Sequence, residues 1–189
     1  DALQSYVRFM NEHLFDHIDI DKDKVHVPDG TLDIQNVQAY CDEYEEKIKS
    51  YGGLDLQVLG IGRTGHIGFN EPGSTLESKT RLITLDGITI RDTASDFYHE
   101  DNVPRRAITM GVGTIMEAKQ IIMMAWGEGK SPIIQKTVEG PVTELIPATY
   151  LQQHPNAQIV LDEAEAANLF SHDAPWLVGF TEWTDKMIR

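Results

Sequence analysis

The sequence predicts an α/β fold with a mainly parallel sheet flanked by helices. Two observations carry this prediction. Short apolar runs of strand length alternate along the chain with segments of helical periodicity, and such alternation favours a parallel sheet. The run at 54–61 leads directly into glycines, as a buried parallel strand does where it ends in a loop. The 189 residues are 41% apolar, which suits one packed domain.

Two helices are predicted before the first strand. The first has an apolar stripe of Leu3, Tyr6, Val7, Met10 and Leu14. The second is expected to start after a cap at Asp33 and to end at Gly52-Gly53. Its apolar stripe consists of Val37, Tyr40, Cys41, Tyr44, Ile48 and Tyr51. The strand at 54–61 follows, and its carboxyl end opens into a loop.

Strands and helices continue to alternate after that loop. Four further strands are predicted at 81–85, 107–110, 120–125 and 157–161. Helical segments are predicted at 89–98, 114–118, 131–139 and 148–153. No internal repeat or low-complexity linker divides the chain, and 141–147 is interpreted as an ordered loop.

Composition disfavours several classes of protein. The net charge of −14 argues against nucleic acid and anionic membranes as partners. No apolar run approaches the roughly 18 residues of a membrane-spanning helix, and no signal-peptide pattern is present. The single cysteine, Cys41, allows no internal disulfide and fits a reducing compartment. We therefore expect a cytoplasmic location and neither nucleic acid nor membrane as a partner.

The acidic and histidine residues do not predict a metal site. Asp19, Asp21 and Asp23 are spaced like the start of a calcium loop. Lys24, however, stands where such a loop needs glycine, and Gly30 where it needs a bidentate glutamate. The histidines outside the segment 59–72 are dispersed and lack ligand spacing. No metal is therefore expected.

The most informative segment is 59–72, Leu-Gly-Ile-Gly-Arg-Thr-Gly-His-Ile-Gly-Phe-Asn-Glu-Pro. Open α/β sheets bind ligands beyond the carboxyl ends of their strands, where this loop is expected to lie. Its glycines let the backbone approach a ligand closely. The spacing from Gly60 to Gly65 imitates a dinucleotide fingerprint, but Gly68 and Pro72 prevent the helix that such a site requires. We reject dinucleotide binding.

His66 is the candidate catalytic residue of this loop. An imidazole exchanges protons near neutral pH and is the usual acid–base catalyst. Glu71 is expected to orient the ring or to supply a compensating charge. A histidine and a glutamate at this spacing are also explained by a structural hydrogen bond within the loop, so the surrounding residues decide between the two interpretations.

Those residues resemble the glucosamine-6-phosphate deaminases (isomerases), whose loop is Gly-x-Gly-x-Asp-Gly-His-Ile-x-Phe-Asn-Glu-Pro. The resemblance extends from Ser5 to about residue 167 and includes Gly111-Val112-Gly113-Thr114 and Leu151-Gln152-Gln153-His154-Pro155. The 6-phosphogluconolactonases have a similar loop but lack Phe-Asn-Glu-Pro after the histidine. The residues at 69–72 therefore favour the deaminases.

The resemblance implies a Rossmann-like fold of the sugar-phosphate isomerase type. It also implies conversion of glucosamine 6-phosphate to fructose 6-phosphate and ammonia, without a metal or an organic cofactor. The roles it implies are catalysis for His66 and Glu71 and substrate binding for Lys130 together with the loop positions Gly62, Thr64 and Gly65. A sugar phosphate is the expected partner, and formation of a homo-oligomer is left open.

The chain departs from the family pattern at two positions. Thr64 stands where the family has an aspartate coupled to the histidine, and a hydroxyl can bond an imidazole but carries no charge. Asp96 stands where the family has a substrate-binding arginine directly before an aromatic pair. Arg91, Arg105 and Arg106 are the nearby arginines that could replace it.

The resemblance also implies that the chain is a fragment, incomplete at its N-terminus. We expect a partial deaminase-like domain at 1–170 and the start of a C-terminal extension at 171–189. Two alternatives to the enzyme remain open. Thr64 and Asp96 favour a sugar-phosphate-binding module without catalysis, and the shared loop leaves a 6-phosphogluconolactonase-like hydrolase as a weaker alternative.

Overall fold

The computed structural model describes residues 4–162. The strands are β1 (Leu56–Leu59), β2 (Arg81–Thr84), β3 (Arg106–Thr109), β4 (Gln120–Ala125) and β5 (Ala157–Leu161). The α-helices are α1 (Tyr6–His13), α2 (Ile34–Ser50), α3 (Gly87–Thr93), α4 (Val112–Met116) and α5 (Ser131–Glu139). None of the helices in this part of the chain is long and apolar enough to span a membrane. The extension predicted at 171–189 lies outside the described residues.

The central sheet is parallel and has the strand order β1-β4-β5. The middle strand, β4, pairs with β1 on one side and with β5 on the other. Alternate residues of β4, at Ile121, Met123 and Ala125, are buried. The parallel sheet flanked by helices that the sequence predicts is therefore confirmed. The carboxyl end of β1 leads into the glycine loop.

The strands β2 and β3 form a separate two-stranded ribbon and pair in antiparallel orientation. Alternation along the sequence predicts both strands but not their pairing, because pairing depends on tertiary contacts that periodicity does not contain. The helix predicted at 89–98, which lies between these two strands in sequence, is divided into two elements. α3 ends at Thr93, and a 3₁₀ turn at Ala94–Phe97 follows. Tyr98 then adopts a φ of 65° and stops the turn.

The core lies between the parallel sheet and the helices that cover it. Its fully buried apolar residues include Ile115, Ile121, Met123, Ile134, Leu151 and Ile159. Ile67, inside the glycine loop, is fully buried in the same cluster, so the loop is anchored in the core. The segment predicted as a helix at 148–153 is a 3₁₀ helix, Pro147–Gln153. None of the residues of α1 is buried, despite its apolar stripe.

A buried carboxylate attaches α2 to the rest of the fold. Oε1 of Glu45 accepts hydrogen bonds from the amide (2.8 Å) and the hydroxyl (2.5 Å) of Thr80 and from the hydroxyl of Thr114 (2.6 Å). Burial acts to raise the pKa of Glu45, but the bonds from Thr114 and Thr80 outweigh it, and the pKa is lowered. Glu45 therefore links α2 to α4 and to the residue preceding β2 as a charged acceptor.

Candidate active site

The glycine loop starts directly after β1 and turns back on itself. The amide of Gly62 donates to the carbonyl of His66 (3.0 Å), and the amide of Gly65 donates to the carbonyl of Gly62 (2.9 Å). Gly65 has a φ of 80°, which a residue with a side chain adopts only with strain. The tight turn brings the imidazole of His66 back against the chain that leaves β1.

The ring of His66 lies against the bare backbone of Gly62. A Cβ atom at Gly62 would be 2.1 Å from Cε1 and 2.3 Å from Nε2 of His66. Any other residue would have to displace the ring. Gly65 is equally confined, because a Cβ there would be 2.5 Å from Cγ2 of Ile146. The two predicted substrate-binding glycines thus provide the space in which the imidazole and the turn are held.

Three side chains converge on Nδ1 of His66. They are the hydroxyl of Thr64 at 2.9 Å, Oε2 of Glu71 at 3.2 Å and the hydroxyl of Thr89 at 3.3 Å. The side chains of His66 and Glu71 are only 16% and 11% exposed. Because an ionised carboxylate only accepts, the pairing with Glu71 assigns the proton to Nδ1 of a neutral ring. Nε2 is then the atom able to accept a proton.

Glu71 remains ionised although it is buried. Burial raises the pKa of this carboxyl, but hydrogen bonds from His66 and Thr89, the charge of His66 and the amide of Asp86 together lower it. The bond from the Asp86 amide to Oε1 is 3.1 Å long. One carboxylate oxygen thus faces the imidazole, while the other is fixed by backbone at the start of α3. The predicted pair His66–Glu71 is brought together.

Thr64 completes a closed triangle with these two residues. Its hydroxyl donates to Oε2 of Glu71 at 3.2 Å and lies 2.9 Å from Nδ1 of His66. The hydroxyl therefore bridges the imidazole and the carboxylate where the family has a second negative charge. Thr89, from the first turns of α3, adds a further hydroxyl that the sequence did not predict, because residues 66 and 89 meet only through the fold.

Asn70 is a second residue that sequence reasoning missed. It is fully buried, and its Nδ2 donates to the carbonyls of Ile67 (2.9 Å) and Met110 (2.8 Å). Its Oδ1 accepts from Nη1 of Arg81 at 2.9 Å. These bonds fix the stretch between His66 and Glu71. Asn70 stands in the segment Phe-Asn-Glu-Pro, but its partners Arg81 and Met110 are too distant in sequence to be predicted.

The loop is also tied to the segment 144–148. The amide of Gly73 donates to the carbonyl of Glu144 (2.8 Å), and the amide of Ala148 donates to the carbonyl of Gly65 (2.9 Å). The side chain of Ile146 fills the space beside Gly65. The middle of the loop and the residue that follows it are therefore both held by one neighbouring segment.

A groove of about 400 Å³ lies beside the loop, at the start of α5. It is lined by Arg63, Ile88, Arg91, Gly129, Pro132 and Ile133. The predicted substrate-binding Lys130 stands between two of these residues and directly precedes α5. No hydrogen bond or ion pair joins Lys130 to His66 or Glu71 within residues 4–162. The structure thus brings together Thr64, His66 and Glu71, whereas Lys130 is not among the residues that line the groove.

The arginines near Asp96 lie in different places. Arg91 lines the groove beside the loop, whereas Arg105 and Arg106 line another groove, together with Leu82. Asp96 itself belongs to the 3₁₀ turn after α3. Within the described residues, no group of three or more histidine, cysteine, aspartate or glutamate side chains could hold a metal ion.

Comparison with known proteins gives consistent matches. The family model described as glucosamine-6-phosphate isomerases/6-phosphogluconolactonase matches residues 1–161. The chain is 47% identical over 189 residues to a glucosamine-6-phosphate deaminase-like protein of Bacteroides thetaiotaomicron, covering 100% of this chain and 28% of that protein. It is 54% identical over 170 residues to a glucosamine-6-phosphate deaminase of Shewanella woodyi, covering 90% of this chain and 64% of that protein.

Solved structures agree with these matches. A monomeric glucosamine-6-phosphate deaminase superimposes with a TM-score of 0.85 at 38% identity, covering 88% of this chain and 68% of that one. A 6-phosphogluconolactonase from Thermotoga maritima superimposes with a TM-score of 0.63 at 23% identity, which shows the shared fold alone. The chain spans 28% and 64% of the length of the two curated relatives described above.

Proposed function

The chain belongs to the glucosamine-6-phosphate isomerase/6-phosphogluconolactonase family, and on that premise we propose that its protein converts glucosamine 6-phosphate to fructose 6-phosphate and ammonia. The observation that carries the proposal is the buried His66–Glu71 pair, held at 3.2 Å by the loop that ends in Phe69-Asn70-Glu71-Pro72. The relatives named as deaminases support the same substrate class.

The reaction consists mainly of proton transfers. The sugar ring opens, a proton moves from C2 to C1, and water then replaces the amine at C2, so that ammonia leaves. Each step needs a group that accepts or donates a proton at a fixed position. No step needs an external oxidant or reductant, and the residues that we assign need no metal or organic cofactor.

We assign ring opening to His66. With Nδ1–H donated to Glu71, Nε2 can accept the proton of the C1 hydroxyl of the sugar. The imidazole can then return a proton to the oxygen of the sugar ring. The positive charge that develops on the imidazole is stabilised by Glu71, whose lowered pKa keeps it ionised. The hydroxyls of Thr64 and Thr89 hold the imidazole and the carboxylate in position relative to each other.

We place this reaction in the cytoplasm. The single cysteine, Cys41, is buried and free, which suits a reducing compartment. The buried position of Cys41 on α2 also makes it a packing residue of that helix.

The test is release of ammonia and fructose 6-phosphate from glucosamine 6-phosphate by the protein in its full natural length. We expect His66→Ala to lower kcat/KM by about 10²–10⁴-fold, the usual contribution of a general acid–base group. The exposed His99, which follows α3 and its 3₁₀ turn in the chain, provides the matched control, and His99→Ala should retain activity.

Thr64 is the observation that favours a second candidate, a sugar-phosphate-binding module without catalysis. A hydroxyl beside Glu71 gives the imidazole one neighbouring charge in place of two. Absence of turnover in the wild-type protein, with binding of glucosamine 6-phosphate retained in calorimetry, would establish this module and contradict the enzyme. Full turnover in His66→Ala would instead contradict the role of His66.

A further inference from the structure

Positive side chains gather at one groove of this acidic protein. The chain has a net charge of −14, yet Arg63 and Arg91 both line the groove at the start of α5. In sequence, Lys130 lies between the lining residues Gly129 and Pro132, but it does not itself line the groove. A concentration of cations in an otherwise acidic surface attracts an anionic ligand to that place.

This groove is continuous with the site around His66. Arg63 directly precedes Thr64, and Ile88 directly precedes Thr89. Two of the residues that line the groove are therefore each followed by a threonine whose hydroxyl bonds the imidazole. The side chain of Ile133 forms another wall and packs beside Gly65, with Cδ1 3.2 Å from the place of a Cβ. A ligand that occupies the groove would therefore lie next to the catalytic loop.

The two arginines of the groove differ in how they are engaged. Arg63 donates from Nε to Oδ2 of Asp92 at 2.8 Å and from Nη2 to the other carboxylate oxygen. This bidentate pair occupies the guanidinium and neutralises its charge. The guanidinium of Arg91 forms no hydrogen bond or ion pair within the described part of the chain, and its charge acts on the neighbouring carboxylate of Asp92. Its Nη1 lies over Gly87, 3.5 Å from the place of a Cβ.

We propose that Arg91 binds the phosphate of the sugar substrate, in the groove that adjoins His66. A guanidinium with an unoccupied fork can form two parallel hydrogen bonds to a phosphate. Arg63 lines the groove but is paired with Asp92, so Arg91 is the arginine that is available to bind the anion. The substrate's identity in this inference rests on the proposed function, whereas the anion site does not.

Asp96, Arg105 and Arg106 do not provide an alternative phosphate site at this groove. A carboxylate at position 96 repels a phosphate, and Arg105 and Arg106 line a groove that contains no residue of the catalytic loop. Arg91 is five residues before Asp96 on the same helical segment and reaches the groove directly. The arginine that lines the groove therefore lies in α3 and not at the end of this segment.

The experiment measures binding and turnover separately in the full-length protein. Wild type, Arg91→Ala, Arg91→Lys and the control Arg105→Ala are titrated with glucosamine 6-phosphate and with inorganic phosphate by calorimetry. We expect Arg91→Ala to weaken binding of both by about 10- to 100-fold, the loss of a charge-assisted hydrogen bond. Arg91→Lys should recover part of the affinity, because it keeps the charge without the fork. In kinetics, KM should rise by more than kcat falls.

Each outcome decides the proposal. Equal affinity of Arg91→Ala and Arg105→Ala for both probes would overturn it, and so would a wild-type protein that binds neither. Loss of binding in Arg91→Ala, in a wild type that shows no turnover, would support the anion site and contradict the proposed function instead. Arg91 is exposed, so the melting temperature of the variants should match that of wild type.

Discussion

At the residue scale, the position of one imidazole depends on residues that take no part in proton transfer. Gly62 gives the ring of His66 its space, since a Cβ there would overlap three ring atoms. Thr64 and Thr89 approach Nδ1 from the loop and from α3. The catalytic role that we propose for His66 therefore depends on a group of contacts. Only the contacts within the loop can be inferred from the sequence.

The contact with Gly62 gives a prediction for two neighbouring glycines. We expect Gly62→Ala to lower kcat/KM by about 10²-fold, since a displacement of about 1 Å in a catalytic group has this effect. Gly60→Ala is the matched control, because a Cβ at Gly60 meets nothing within 4 Å and its φ is not positive. Both variants are assayed with glucosamine 6-phosphate and melted by circular dichroism.

Equal activity of the two variants would show that the ring is not held against Gly62. The distinction between these glycines could not be predicted from the sequence. Gly60, Gly62 and Gly65 look alike in a glycine-rich loop, and only the fold shows which of them faces a side chain. Gly65, with its positive φ, would tolerate substitution least for a backbone reason as well.

At the scale of elements, Glu45 is the residue that joins the longest helix to the remainder. Its carboxylate accepts hydrogen bonds from both Thr80 and Thr114, so α2, α4 and the start of β2 share one acceptor. Periodicity predicts α2 correctly but cannot predict a buried charge in its stripe, because Glu45 is buried only through partners outside the helix.

The lowered pKa of Glu45 gives a pH dependence of stability. A carboxyl whose pKa is lower in the folded state stabilises the fold above its unfolded pKa, and the contribution is lost as the pH falls through the folded pKa. We expect Glu45→Gln to reduce the free energy of unfolding at pH 7 by roughly 1–3 kcal/mol. The difference from wild type should shrink below about pH 4, where glutamate in the unfolded chain is protonated.

Urea unfolding at a series of pH values measures this difference. Glu43→Gln, an exposed change on the same helix, controls for the loss of one charge in an acidic protein. A constant gap between Glu45→Gln and wild type across the whole pH range would show that Glu45 does not act through its ionisation.

At the scale of the whole molecule, the sequence predicts the parallel α/β sheet flanked by helices and the proximity of His66 and Glu71 in one loop. Strand-length apolar runs predict all five strands, and His66 and Glu71 lie in one loop that a motif identifies. The antiparallel pairing of β2 with β3 could not be predicted, since no local pattern selects a partner. Arg81, Asn70 and Met110 likewise meet across sequence distances that only the fold closes.

The groove with Arg91 belongs to the same class of feature. Its walls come from the loop, from α3 and from the start of α5. The loop contributes one lining residue, α3 two and the region around the start of α5 three, and none of the segments has a basic run that composition would detect. Net charge predicts the opposite sign for the surface as a whole, so the meeting of Arg63 and Arg91 at one groove is a property of the tertiary structure.

The two backbone bonds between the loop and the segment 144–148 have a consequence for local opening. The amides of Gly73 and Ala148 can exchange with deuterium only when the loop separates from that segment. We expect both amides to exchange slowly and to report one common free energy of opening, as members of one cooperative unit. A substitution such as Ile146→Ala should then speed exchange at both amides together.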